Sequence, residues 1–342
     1  MKRRYLIFIF SIITATANAQ SDAGSYLDYI GNQYQEISKD MMSYTSAVNH
    51  GKSARKVEKR RGEVLAQLKE GERNVRNMKP FQNDSKLRDS VVSYLRISQI
   101  VLNQDYGKIL NLEDIAEQSY DAMEAYLLAK EKAGDKLDEA AERVSVVYKK
   151  FAADNRIKLI ENDSKLSQKM EAAHLVNEYY NKVYLLFFKS YKNEAYCLDG
   201  LQRNDVNAAE QAKNSLLASA TEDLAKLGQM QAFQGDASLK AAAQQALAFY
   251  KKEASDYIPA SIDFQLKKDN FQKMDKAFNA KKQGDLTQAE IDAFNKAVGE
   301  YNAGVKKINA LNDQNNKARQ IALDKWSSAS ENFLDSHTPK YR

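Results

Sequence analysis

Side-chain chemistry in this chain has few tools to work with: three His and one Cys among 342 residues. Glu171-Ala-Ala-His174 sets a carboxylate and an imidazole one helical turn apart. Di-iron carboxylate bundles use that spacing on two helices and add a carboxylate from each of two others. Here the motif occurs once, because neither His50 nor His337 has a Glu three residues before it. A surface pair is therefore expected, with a metal-dependent helical bundle as an alternative. Glu113, Glu117, Asp121 and Glu124 fall on one helix face. A calcium loop packs its oxygen ligands into a turn, however, and no Asp-x-Asp-x-Asp-Gly run exists. A solvated acidic face is the expectation. Cys197 has no His or second Cys near it in sequence, and neither a Gly-x-Ser-x-Gly elbow nor a phosphate-cradling glycine loop is present. The expectation is an inert buried thiol, no catalytic, cofactor-binding or metal-binding residue, and a protein that is not an enzyme.

Binding chemistry has one local candidate. Lys52, Arg55, Lys56 and Lys59 recur at i, i+3, i+4 and i+7, with Arg60 and Arg61 beside them. On a helix the first four share a face that can engage phosphate or lipopolysaccharide groups, and the competing reading is a solvated face. Tyr180, Tyr184, Phe187 or Phe188, and Tyr191 form an aromatic stripe at helical spacing, expected to pack in a core. A sugar- or lipid-binding groove is the other reading of that stripe.

The elements that carry these residues are helices. There are 13 Gly and 3 Pro, where average usage would give about 24 and about 17. An all-α fold follows. An internal match stands out. Met78-Lys-Pro-Phe-Gln-Asn-Asp-Ser-Lys-Leu87 and Met230-Gln-Ala-Phe-Gln-Gly-Asp-Ala-Ser-Leu239 agree at five of ten positions. Asp105-Tyr106 then matches Asp256-Tyr257, Met123 matches Met274, and Gly134-Asp135 matches Gly284-Asp285. A tandem duplication is expected, with repeat domains over 20–160 and 161–342. Helices are expected at about 24–48, 52–79, 84–107, 112–133 and 136–160, then at 164–199, 205–229, 236–256, 262–282 and 287–334. Asp84 and Asp236 are N-cap candidates, and Thr287-Gln-Ala-Glu290 has capping-box spacing. Ile291, Phe294, Val298, Tyr301, Val305 and Ile308 form a coiled-coil-like seam that breaks at Asn312-Asp-Gln-Asn-Asn316. A continuous last helix predicts an elongated body.

Lys2, Arg3 and Arg4, the apolar run Leu6–Ile13 and Ala17-Asn18-Ala19 have the layout of a cleaved signal peptide, expected over 1–19. Its loss takes 51 basic against 46 acidic residues to 48 against 46, a formal charge of +2. That balance and an extracytoplasmic address argue against nucleic acid. No Cys stands at the cleavage site for a lipid anchor, no later apolar run is long enough for a transmembrane helix, and a single Cys allows no intrachain disulfide.

Tyr26-Leu-Asp-Tyr-Ile-Gly31, the run Ala116–Ala129 and Ile262-Asp-Phe-Gln-Leu-Lys-Lys268 resemble a group of secreted helical proteins of Gram-negative bacteria labelled "LIC family surface protein". The resemblance implies an envelope or surface address and an all-helical body, and brings no activity, cofactor or site residue. The expected function is that of an exported, non-enzymatic binding or scaffolding protein. Its partner would be an unidentified envelope protein, glycan or lipid. The alternatives are an envelope glycan- or lipid-binding groove and a metal-dependent bundle.

Overall fold

A computed structural model describes residues 10–12, 18–105, 119–161, 164–282 and 286–341. The described chain is helical apart from one three-residue ladder. Its helices are α1 (Asn18–Asn49), α2 (Ala54–Arg76), α3 (Lys86–Ile100), α4 (Tyr120–Asp154), α5 (Lys165–Gln202), α6 (Val206–Gln229), α7 (Ser238–Lys252), α8 (Ile258–Asn279) and α9 (Gln288–His337). Five-residue π-helical turns follow α3 (Val101–Asp105) and α7 (Glu253–Tyr257). Strands β1 (Phe10–Ile12) and β2 (Leu159–Glu161) pair antiparallel, Ser11 opposite Ile160. β1 comes from the apolar run of the expected signal segment, most of which lies outside the described residues.

Local chemistry explains where the helices start and stop. Asp205 and Ser119 accept from the backbone N–H three residues on, at 3.0 and 3.1 Å, which satisfies first-turn donors. The capping box at Thr287 forms in both directions, Thr287 N to Glu290 Oε2 at 2.9 Å and Glu290 N to Thr287 Oγ1 at 3.3 Å. Asp84 and Asp236 stand one residue before the caps of α3 and α7, yet each carboxylate accepts a first-turn amide, from Lys86 at 2.8 Å and Ser238 at 2.7 Å.

The Phe-Gln turn recurs in detail 152 residues apart. Phe81 exchanges backbone bonds with Asp84, and Phe233 with Asp236. The two intervening residues are left-handed in both turns: Gln82 and Asn83 at φ 48° and 65°, Gln234 and Gly235 at 50° and 93°. That is the φ pattern of a tight turn built for Asn or Gly at its second position. Each turn is then held from the helix that follows, by Arg88 to the Met78 carbonyl and Lys240 to the Met230 carbonyl. The helices that follow are both 15 residues long, and both end in a π-helical turn.

One expected break is absent. Gly134-Asp135 was to separate two helices, but α4 runs through it from 120 to 154, with Gly134 buried in its apolar face. A glycine permits a break without enforcing one; inside a helix it costs about 1 kcal/mol relative to Ala, which packing readily offsets. The matching Gly284-Asp285, and 112–118 of the helix expected at 112–133, lie outside the described residues.

The chain divides into two compact units, residues 1–181 with 331–342, and residues 182–330. This cut differs from the expected 160/161 boundary, since α5 and α9 each run unbroken from one unit into the other. The first unit's core joins Leu27, Ile30, Leu68, Val91, Leu95 and Tyr148. Tyr26, Phe81 and Phe151 meet beside it with ring centroids 5.1–5.7 Å apart. Of the aromatic stripe, Phe187 and Phe188 are buried in the second unit, Tyr180 and Tyr184 are half-buried, and Tyr191 is exposed. Phe187 is buried and stacks on Trp326 at 4.2 Å. The seam on α9 meets α8 through stacked rings, Phe271 on Tyr301 at 4.5 Å and Phe278 on Phe294 at 4.0 Å. Gly304 makes room for Phe264, whose ring would lie 3.3 Å from a Cβ there.

Candidate functional site

The basic stripe is only partly what its spacing suggests. α2 begins at Ala54 after the N-cap Ser53, so Lys52 lies outside the helix and off its face. Lys52, Arg55, Lys56 and Lys59 are exposed. The first three form no ion pair with a described residue, and Lys59 reaches Glu63 only at 4.0 Å. Arg60 and Arg61 drop out as free cations: Arg60 pairs with Glu63 at 2.7 Å, and Arg61 with Glu58 at 2.7 Å while also donating to the Leu102 carbonyl.

Two facts separate this surface from an ordinary solvated face. Arg55 and Lys56 stand in the first turn of α2, which holds no acidic residue and no side-chain cap. Cations there oppose the helix dipole, at about 0.3–1 kcal/mol each. Moreover, α6 occupies the equivalent place after the second helix-to-helix connection and lacks the charge. α2 carries eight basic and four acidic residues, α6 two and three. The architecture is therefore built once with this charge and once without it.

The C-terminal end of α2 faces a second feature of the first unit. Arg76 and the outward face of α3 border a cavity of about 390 Å³, lined also by Arg88 with its partner Asp89, by Arg96 and Ser93, and by Val92, Ile97 and Ile100. Arg96 and Arg76 approach one carboxylate oxygen, Glu72 Oε1, at 3.0 and 3.5 Å, while Glu72 Oε2 accepts from Gln99 at 2.8 Å. These bonds, with the Gln99 one foremost, hold the Glu72 carboxyl below its ordinary range.

In the second unit, charge is buried. Arg319 on α9 bridges Glu194 of α5 and Glu253 at the start of the second π-helical turn, the latter at 2.5 Å. Both glutamates are nearly inaccessible to water. The polar break in the seam supplies the remaining partners. Asn315 donates to Glu253 at 2.6 Å, Asn316 accepts from Arg319, and Asn312 accepts from Tyr257. Two carboxylates facing one guanidinium leave a surplus negative charge in a dry site. Burial first, then Glu253, raises the Glu194 carboxyl to about 8. Glu253 Oε2 and the Tyr250 hydroxyl are buried without a hydrogen-bond partner among the described residues. Cys197 lies in the same core, its thiol pushed up to about 12 by burial and by both glutamates.

Equivalent positions in the first unit are apolar. The turn-closing bonds Lys52 N to Ala47 O and Asp205 N to Gly200 O align α1 with α5, placing Met41 at Glu194. The matched π-helical turns place Val101 at Glu253. Tyr26 on Phe151 and Tyr179 on Phe333 align α4 with α9, placing Leu137 at Arg319. Nothing in the sequence of any one helix marks this cluster; the break at 312–316 is its one visible sign.

Other expected sites stay apart. His174 lies 3.9 Å from Glu178, one helical turn after it, so its imidazole has a carboxylate neighbour beyond the Glu171 that the spacing offered. His50 meets Asp335 at 2.7 Å, and His337 packs on Phe333. Of the acidic stripe, Glu113 and Glu117 lie outside the described residues, and Glu124 accepts from Tyr120. Among the described residues no three His, Cys, Asp or Glu side chains group as metal ligands, and no helix is long and apolar enough to cross a membrane. No family model, curated protein or solved structure matches the chain.

Proposed function

We propose that this is an exported, non-enzymatic binding or scaffolding protein whose ligand-facing element is α2 of the first unit, directed at a phosphate-bearing envelope surface. The observation that carries the reading is the contrast between α2 and α6. Exposed cations are concentrated on and just before one copy of a repeated helix, at the end where they lower helix stability, and Lys52, Arg55 and Lys56 have no ion-pair partner among the described residues. The export part of the reading rests on the basic, apolar and Ala-Asn-Ala pattern of the first 19 residues.

An anionic surface attracts each nearby Lys or Arg by about 1 kcal/mol. Replacing Lys52, Arg55 and Lys56 by Gln should then weaken binding to vesicles containing phosphatidylglycerol by about 3 kcal/mol, roughly a hundredfold. Cosedimentation at low and high salt checks this. Binding to zwitterionic vesicles as strong as to anionic ones, or binding unaffected by the triple replacement, would overturn the assignment.

A further inference from the structure

We propose that the cavity between Arg76 and the outward face of α3 binds a single-headed anionic amphiphile, one phosphate or carboxylate group on a short apolar body. The proposal rests on reading the first unit as anion-facing, and adds to it a discrete site with a defined ligand class.

The head group is placed by Arg76 and Arg96. Both guanidinium groups lean on Glu72 Oε1, so one carboxylate faces two cations and a unit of positive charge is left over. A guanidinium has five N–H donors, and each uses one on Glu72, which leaves the others for a tetrahedral or planar oxyanion. The two groups remain more than half exposed, at 56% and 57%. Their tether to Glu72, itself fixed by Gln99, reduces the side-chain entropy lost when an anion is bound. Arg88 is not part of this pair. It stands two helical turns before Arg96, and its charge is met by Asp89 at 2.8 Å while a second donor holds the Met78 carbonyl at 3.2 Å.

The apolar body is placed by α3. Val92, Ile97 and Ile100 line the cavity, and Ile100 is 45% exposed. A volume of about 390 Å³ falls at the small end of ligand pockets, suited to a short chain and too small for a polymer. The repeated architecture again serves as control. Matched through the two Phe-Gln turns, Glu72, Arg76 and Arg96 correspond to Leu224, Gly228 and Ala248. The fold forms in the second unit without any of the three.

The test uses the full chain and three probes in calorimetric titration: octyl phosphate below its micellar concentration, inorganic phosphate and octanol. Octyl phosphate is expected to bind once per chain, about tenfold or more tighter than either other probe. Arg76→Gln/Arg96→Gln should weaken it about tenfold or more. Ile100→Gln, at an exposed position, should weaken octyl phosphate and leave inorganic phosphate unchanged. Equal affinity for inorganic phosphate, equal affinity for octanol, or indifference to the double replacement would each overturn the proposal. The Lys52/Arg55/Lys56 variant should keep octyl phosphate binding while losing vesicles. Loss of vesicle binding to the wild type alone sinks the surface assignment, and absence of octyl phosphate binding alone sinks this site.

Discussion

Replacing the buried charges of the second unit with the residues that the first unit carries in their place gives a sharp test of what those charges do. The perturbation is Glu194→Met, Glu253→Val and Arg319→Leu made together, compared with Arg319→Leu alone. In the single variant two glutamates, 3% and 1% exposed, lose the guanidinium that pairs with both. Breaking a buried pair in this way costs about 3–5 kcal/mol, because the orphaned charge cannot reach water. In the triple variant the desolvation penalty disappears with the charges, and exchanges of this kind range from neutral to about 1–4 kcal/mol stabilising. Val and Leu are smaller than the side chains they replace, so a cavity term places the expectation at the neutral end. Asn315 and Asn316 sit at the accessible edge of the cluster and turn to water. Trp326 is the chain's one Trp and stacks on Phe187 inside the second unit, so its fluorescence follows urea unfolding of that unit. The expected order of midpoints is triple variant close to wild type, and single variant far below both. A triple variant as unstable as Arg319→Leu would refute the reasoning, since it would show that the fold itself requires the charges.

The same cluster and the α5–α6 connection set two further outcomes. Glu194 has a carboxyl raised from 4.5 to about 8 in the folded unit, so the native state holds a proton there that the unfolded chain releases between those values. Stability from this group is therefore full below pH 4.5 and lost as pH rises toward 8, at up to about 1.4 kcal/mol per pH unit. Urea midpoints from Trp326 at pH 5 to 8 should slope downward in the wild type and less so in Glu194→Gln; identical slopes would remove the proton from the account. Gly200→Ala should destabilise by about 1–3 kcal/mol, because a Cβ there would stand 2.7 Å from the Ala209 backbone nitrogen. Thermal melts of the variant check it, and an unchanged melting temperature would mean that the α5–α6 connection relaxes freely.

What could be read in the sequence follows from how local each signal is. The Phe-Gln turn, the capping box and the α9 seam are each set by residues within a few positions of one another, and each appears in the structure where its spacing places it. The basic stripe was visible as a set of residues, but not which members are spoken for. Arg60 and Arg61 are neutralised by Glu63 and Glu58 on their own helix, while Lys52 falls before the cap. Gly134 misled because a glycine's freedom to break a helix says nothing about the packing that keeps α4 whole. The two remote sites were hidden for a plainer reason. Glu194, Glu253 and Arg319 lie on three helices far apart in sequence, and each alone looks like a residue of a solvated face. Arg76 and Arg96 meet only through Glu72, across the α2–α3 turn.

A repeated architecture makes it possible to ask what each unit has that the other manages without. The connection between α1 and α2 is one residue longer than that between α5 and α6, and it tolerates Ala47 where the shorter one needs Gly200. That difference is purely structural, since the side chains follow from the loop length. The charge differences do not follow from any loop or helix length. At α2 the first unit places exposed cations against a helix dipole, at a cost to stability, with no ion-pair partner among the described residues. In its core the second unit places Glu194, Glu253 and Arg319 where its counterpart has the buried Val101 and the half-buried Met41 and Leu137, in a setting where ion pairs rarely add stability. Features that lower stability and that a sister copy lacks point to selection for something other than folding. In the first unit they face outward, where a ligand can meet them, and in the second they face inward, where only a proton can.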